Sequence, residues 1–300
     1  MEDDRPVLGI VLMLGFCATA PLGDAVAKLL TGVVPLLQLL LVRFAMQGLL
    51  LAPFLIRRRP ALTPRLLGHI AWRTLLHMIG IGTMFTALFY LPLADAIAIA
   101  FVLPFIMLLI GKFILNEAVG PRRLAACVVG FAGTLMVIQP SFVEVGIPAV
   151  LPALVAFIFA LFILSTRRLS RQIDAVSLQA ISGLMALVFF LGLMLVPGVA
   201  AEMLTPPSSE VALLLLLVGL IGTAAHLLMT WSLRFAPSAT LAPLQYMEIP
   251  FATTIGFLIF KDLPDGLALL GIMVTISAGL YILHRERIDA RLAAAAAPAV

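Results

Sequence analysis

Apolar residues in this chain come in long unbroken runs, separated by short polar connections. The runs cover 7–30, 33–56, 70–91, 94–115, 121–139, 148–166, 175–196, 211–233, 237–260 and 265–284. Each is close to the roughly 20 residues that a helix needs to cross a bilayer core. Period-two alternation is absent, which excludes a membrane β-barrel, so the backbone must satisfy its hydrogen bonds within helices. The pattern predicts an all-α integral membrane protein with ten transmembrane helices. The first run exceeds the roughly 7–15-residue core of a signal peptide and is read as a span.

Composition agrees: 63% of the 300 residues are hydrophobic, 11% are charged and the mean hydropathy is +1.18, more apolar surface than one soluble core could hide. The basic residues are unevenly placed. Arg5, Arg57–Arg59, Arg65, Arg122, Arg123, Arg167, Arg168, Arg171, Arg234, Arg285, Arg287 and Arg291 fall on one set of alternate connections and the termini, while the opposite connections hold only Lys261. This predicts a multi-pass protein of the cytoplasmic (inner) membrane with both termini cytoplasmic. It also accounts for the pI near 9.5 without nucleic acid as a partner. Cys17 and Cys127 are too few for a disulfide framework or a zinc site and are expected to fill space.

The two halves look duplicated. A shift of 145 residues places Pro92 on Pro237, Gly111 on Gly256, Glu117 on Asp262, Ala126 on Gly271 and Gly133 on Ala278, and Pro104 one residue short of Pro250. Five spans is an odd number, so the second copy enters the membrane from the opposite side. The fold expected is two inverted five-helix repeats, residues 7–140 and 147–284, with a cytoplasmic tail over 285–300 that is expected to fray from Ala290.

The paired blocks "LFYLPLADAIAIAFVLPFIMLLIGKFILNEAVGPRRLAACVVGFAGTLMVI" and "SLRFAPSATLAPLQYMEIPFATTIGFLIFKDLPDGLALLGIMVTISAGLYIL" resemble the two EamA-type repeats of the drug/metabolite transporter superfamily. The resemblance spans about residues 7 to 284 and implies a secondary transporter with a central cavity between its halves. Stretches such as "GDAVAKLL" and "LQYMEIPFATTIGFLIFKDLPD" resemble the uptake branch associated with S-adenosylmethionine or riboflavin. The expected activity is movement of a small metabolite by alternating access, either uptake of such a cofactor-like solute or export of amino acids or other metabolites. A passive channel and a membrane-embedded enzyme are the other classes weighed. No HExxH, GxSxG, P-loop or carboxylate–histidine cluster supports an enzyme, and a channel would favour a ring of polar groups from symmetric subunits. No cofactor or metal is expected; partners are the solute, protons and lipid. Ten duplicated helices can hold a complete path in one chain, as monomer or homodimer.

Glu248 is the leading candidate for solute binding or coupling. A carboxylate at mid-membrane is costly unless it meets water, a cation or a proton, and Pro250 is expected to open the helix beside it at the Tyr246 carbonyl. The 145-residue shift sets Val102 and Leu103 opposite Glu248, so the duplication breaks there. Tyr246, with a ring that could stack on a planar solute, and Gln245 join the candidate site. Asp24 and Lys28, four apart on the first helix, share a face and can pair. Arg43 on the second helix could meet a carboxylate or phosphate. His226 is a candidate proton carrier, and Trp231 and Phe85 complete the binding list. Pro250, Pro104 and Lys28 are expected as hinges or gates. Asp95 reads as a helix cap and Lys112 as a snorkelling residue. His69, Arg73 and His77 form an i, i+4, i+8 stripe read as interfacial or pore-facing, its histidines about 12 Å apart along the helix and too distant to share a metal ion.

Overall fold

Capping side chains fix where several helices begin. Thr63, Asp174 and Ser208 accept hydrogen bonds from the backbone N–H groups of Leu66, Ser177 and Val211 at 3.2, 3.0 and 3.3 Å. Arg59 and Lys261 close two others in the left-handed region, with φ of 45° and 61°. The computed structural model describes residues 6–113, 121–236 and 241–296. The first half holds α1 (Pro6–Leu30), α2 (Leu36–Arg58), α3 (Pro64–Tyr90), α4 (Leu93–Ala100), α5 (Leu103–Phe113) and α6 (Pro121–Val145). A 3-10 turn at Ile147–Val150 then leads into α7 (Leu151–Leu169), followed by α8 (Ala175–Leu193), the short α9 (Val199–Met203) and α10 (Ser209–Phe235). A 3-10 stretch at Ala242–Met247 runs into α11 (Glu248–Phe260), and α12 (Gly266–Ala296) ends the chain. No strand occurs among the described residues.

Polarity is distributed as a bilayer demands. Val11, Leu49, Phe54, Trp72, Phe131 and Val188 are exposed, while Arg43, Gln47, Arg73, His77 and Gln179 are each no more than 2% exposed. Helices α1, α2, α7 (extended by its 3-10 turn), α8 and α10 are each long and apolar enough to span alone. In α3 the polar residues His69, Arg73 and His77 dilute a helix of 27 residues.

Helix pairing carries the duplication into space. The α1 helix packs chiefly on α10, and α3 on α7; α2 packs on α8, α4 on α11 and α6 on α12. Exchanging the halves converts the first pair into the second and leaves the other three unchanged, as a pseudo-two-fold axis requires. Residues on that axis touch their own repeat mates. Thr275 Oγ1 donates to the carbonyl of Gly130, 145 residues away, at 3.5 Å. The rings of Phe101 and Tyr246, also 145 apart, lie with centroids 5.3 Å from each other. At the crossing of α2 and α8, Gly48 meets Gly183; a Cβ on Gly183 would stand 2.6 Å from the Gly48 Cα, so only glycine allows this approach.

The offset between the halves is not constant. It is 139 residues at the ends of α1 and α7, 135 at the ends of α2 and α8, and 145 at both ends of α3 and α10. Two features explain this: α8 has 19 residues against 23 in α2, and connection 194–208, which contains α9, is ten residues longer than connection 59–63.

The expected fourth and ninth spans are each broken. The first breaks at Phe101–Val102 and resumes at Leu103; the second changes from 3-10 to α at Glu248, 145 residues later. Pro104 and Pro250 therefore fall in first turns, where a missing N–H costs nothing. Pro250 does not break a helix next to the Tyr246 carbonyl, because the discontinuity lies before Glu248. The tail expected to fray from Ala290 is instead helical to Ala296. Glu117 lies outside the described residues, and Pro104 and Lys112 are described only by their backbone.

Candidate functional site

Between the halves lies a cavity with about 930 Å³ of atom-free space, its mouth included. Its wall is built from repeat-equivalent positions. At the 139-residue offset of α1 and α7, Phe16 matches Val155, Ala20 matches Phe159 and Asp24 matches Ile163; all six line the cavity. At the 145-residue offset, Ile81 matches His226, Met84 matches Met229, Ala100 matches Gln245 and Leu103 matches Glu248, and these eight line it too. Backbone geometry is thus duplicated while polarity is not. The second half contributes His226, Gln245 and Glu248 where the first has Ile81, Ala100 and Leu103; the first contributes Asp24 where the second has Ile163.

Asp24 and Glu248 are partly exposed to this space. Asp24 is within electrostatic reach of both Glu248 and Arg43, yet none of the three forms an ion pair within 4.0 Å among the described residues. Arg43 rests against Gly222, where a Cβ would stand 2.7 Å from Nη2. Its Nη1 donates to Gln47 Oε1 at 3.2 Å, and its Nη2 has no partner among the described residues. A polar chain continues from there: Gln47 Nε2 donates to the Gln179 carbonyl and Oε1, both at 2.9 Å. Gln179 Nε2 in turn donates to the His226 carbonyl at 3.0 Å and Thr230 Oγ1 at 2.8 Å. This network holds Arg43 at the wall and crosses from α2 through α8 to α10.

Beside the open wall is a closed cluster. Arg73 is fully buried; its Nε and Nη1 donate to Thr166 Oγ1 at 2.8 Å and Ser182 Oγ at 2.9 Å, and its guanidinium lies 4.5 Å from the Phe162 ring centroid. One turn along α3, His77 is also fully buried and places Nε2 3.2 Å from Nε2 of His226. The stripe read as interfacial or pore-facing thus turns Arg73 and His77 into protein, with His69 half-buried toward the basic end. Periodicity gives a shared face but not what that face meets.

Other candidates part company. Phe85 lines the cavity and also a second, shallower one bordered by Thr31, Pro35, Phe89, Tyr90 and Glu202. Tyr246 is buried against Phe101 on the axis and is absent from the cavity wall, while Trp231 packs beside Leu51, Val176 and Ala180, away from it. Lys28 does not pair with Asp24: its Nζ donates to the Leu91 carbonyl at 2.6 Å, sits 4.0 Å from Asp262 and lies 5.2 Å from the Phe260 ring centroid. Those contacts join the halves at the end away from the basic connections. Asp95 opens α4 but is buried and accepts from Ser141 on α6 at 3.3 Å, which a surface cap would not do. Cys17 is buried, its Sγ 3.2 Å from the Leu244 carbonyl.

At the basic end the halves are joined by an ion pair between Arg58 and Asp174, with side chains 45% and 26% exposed. Partial burial opposes ionisation of Asp174, but hydrogen bonds from Ser177 and the Arg58 guanidinium outweigh it and hold the carboxyl below its ordinary range.

Two matches to the EamA-like transporter family cover residues 7–139 and 146–284. A riboflavin transporter of Rhizobium johnstonii is 30% identical over 227 residues, 73% of this chain and 72% of its own. An S-adenosylmethionine uptake transporter of Rickettsia bellii is 25% identical over 282 residues, 93% and 94% of the two chains. A crystal structure that is 17% identical superposes with a TM-score of 0.63 over 96% of this chain and all of its own, which supports the fold. The inverted helical repeats, the cavity between them and the double family match identify this chain as a member of the EamA-like transporter family.

Proposed function

We propose that the chain is a secondary carrier that imports a small cofactor-like solute across the cytoplasmic membrane by alternating access, with both termini cytoplasmic. The single observation that carries this reading is the mismatch at repeat-equivalent cavity positions, above all Glu248 against Leu103. Duplicated backbone suits two units, 7–140 and 147–284, rocking about a shared site, while unduplicated polar groups suit recognition of an asymmetric solute. The Lys28 ties act as the outer gate and Arg58–Asp174 as the inner one, with Phe85 between the central and outer cavities. The tail over 285–300, helical to Ala296, stays on the cytoplasmic side. Protons are the coupling ion.

Asp24 and Glu248 favour a cationic group on the solute, the unpartnered Nη2 of Arg43 favours an anionic one, and Phe16, Phe85 and Phe159 favour a planar body. S-adenosylmethionine combines a sulfonium, an amino-acid end and an adenine ring, and fits that set; a relative bearing its name covers almost the whole chain. Riboflavin is the second reading, favoured by the 30% identical relative. Purified protein in liposomes should exchange labelled S-adenosylmethionine by saturable counterflow. Counterflow with riboflavin alone would select the second reading, non-saturable flux would indicate a channel, and absence of both exchanges would remove the substrate assignment.

A further inference from the structure

The geometry points to the His77–His226 pair as the element that passes the coupling proton, an inference that rests on the carrier reading above. Two imidazoles meeting Nε2 to Nε2 at 3.2 Å, with ring centroids 4.2 Å apart, cannot be alike. A hydrogen bond between these atoms needs one ring with its proton on Nε2 and the other with Nε2 bare and its proton on Nδ1. Neither Nδ1 has a partner among the described residues, so one buried Nδ1 is a spare acceptor and the other a spare donor.

That arrangement is a one-proton relay. A proton arriving at the bare Nδ1 of the first ring makes it an imidazolium; its Nε2 proton crosses to the second ring, which releases the proton from its own Nδ1. One proton enters, one leaves, and the pair ends neutral with its tautomers exchanged. No second proton can pass in the same direction until the rings turn, which ties each transfer to a conformational reset. His226 lines the cavity and is the solute-side member; His77 is shut away from it against Phe44 and Phe162. His77 sits on α3 in the first half and His226 on α10 in the second, so movement between halves would make and break the relay. The charged groups around the pair are Arg43 from α2 and Arg73 from α3, with Asp24 from α1 and Glu248 from α11 lining the adjoining cavity. From α7 the rings of Phe159 and Phe162 face the pair, and from α8 Gln179 donates to the His226 carbonyl.

Four histidines make the test tractable. In nanodiscs at neutral pH, protein labelled with ¹⁵N-histidine should show one Nδ1–H and one Nε2–H tautomer for these two rings, with scalar coupling across the N–H···N bond. In proteoliposomes probed with labelled S-adenosylmethionine, His77→Gln should keep counterflow while accumulation driven by an acid-outside gradient falls about tenfold or more. His77→Asn serves if the first variant fails to fold. Matching tautomers without coupling, or unchanged gradient-driven accumulation in the His77 variant, overturns the proposal. Absent counterflow in the unmodified protein would instead count against the carrier reading, and the tautomer measurement would still decide the relay.

Discussion

Helices α4 and α5 and the 3-10 stretch leading into α11 break at residues 145 apart, touch each other through Phe101 and Tyr246, and both face the cavity. At the first residue after the break, one presents Leu103 and the other Glu248. The same backbone device therefore serves two purposes. Where the halves agree, as at Gly48 with Gly183, the residues set how helices approach. Where they disagree while lining the same space, they set what that space recognises. Packing demands equivalence across a pseudo-two-fold axis, whereas an asymmetric solute does not.

The largest effect should come from erasing the difference. Glu248→Leu copies the first half into the second and is expected to weaken binding of S-adenosylmethionine by about 30-fold or more, roughly 2 kcal/mol. Adding Leu103→Glu moves the carboxylate across the axis and should restore part of that loss, measurable by titration in detergent. If the double variant binds no better than the single one, the two positions are not equivalent. A comparable effect, on stability alone, is expected where the halves agree: Gly183→Ala forces α8 off α2 and should cost about 1–3 kcal/mol, read as a lower melting temperature.

Asp24→Asn sharpens the same contrast from the first half. Affinity for the cationic probe should fall about tenfold, roughly 1.4 kcal/mol, while affinity for uncharged riboflavin, if measurable, stays within about twofold; an equal loss for both would assign Asp24 to structure. The smallest effect is expected at Arg58–Asp174, away from the cavity. Asp174→Asn keeps a capping oxygen but removes the charge, and should lower stability at neutral pH by less than about 1 kcal/mol. The folded carboxyl is held below its unfolded value, so this contribution is present above about pH 4 and fades as pH falls through the lower folded value. Melting curves of the two proteins should converge on acidification.

Much of this was legible in the chain itself. Ten apolar runs, the 145-residue repeat and the mismatch of Glu248 with Leu103 all follow from local pattern. Contacts between elements distant in sequence did not. His77 and His226 occupy helices whose neighbourhood only packing decides, so a stripe on α3 and a lone histidine on α10 looked unrelated. Lys28 seemed bound for Asp24, one turn away, but its amine meets Leu91 and Asp262 instead. Tyr246 lies two residues from Glu248 in sequence, yet its ring packs on the axis against Phe101, and Trp231 packs beside Leu51, Val176 and Ala180. A single offset also concealed the match of Asp24 with Ile163, because a turn missing from α8 and the longer connection before α10 change the register along the chain.

The central claim is that Glu248 makes the cavity between the halves a solute site. Glu248→Gln preserves shape and hydrogen bonding but removes the charge. Reconstituted at matched density, this variant should fold and insert normally yet lose gradient-driven accumulation of labelled S-adenosylmethionine, with its binding weakened by about tenfold or more. Accumulation, affinity and pH dependence equal to those of the unmodified protein would make Glu248 a structural acid and contradict the account.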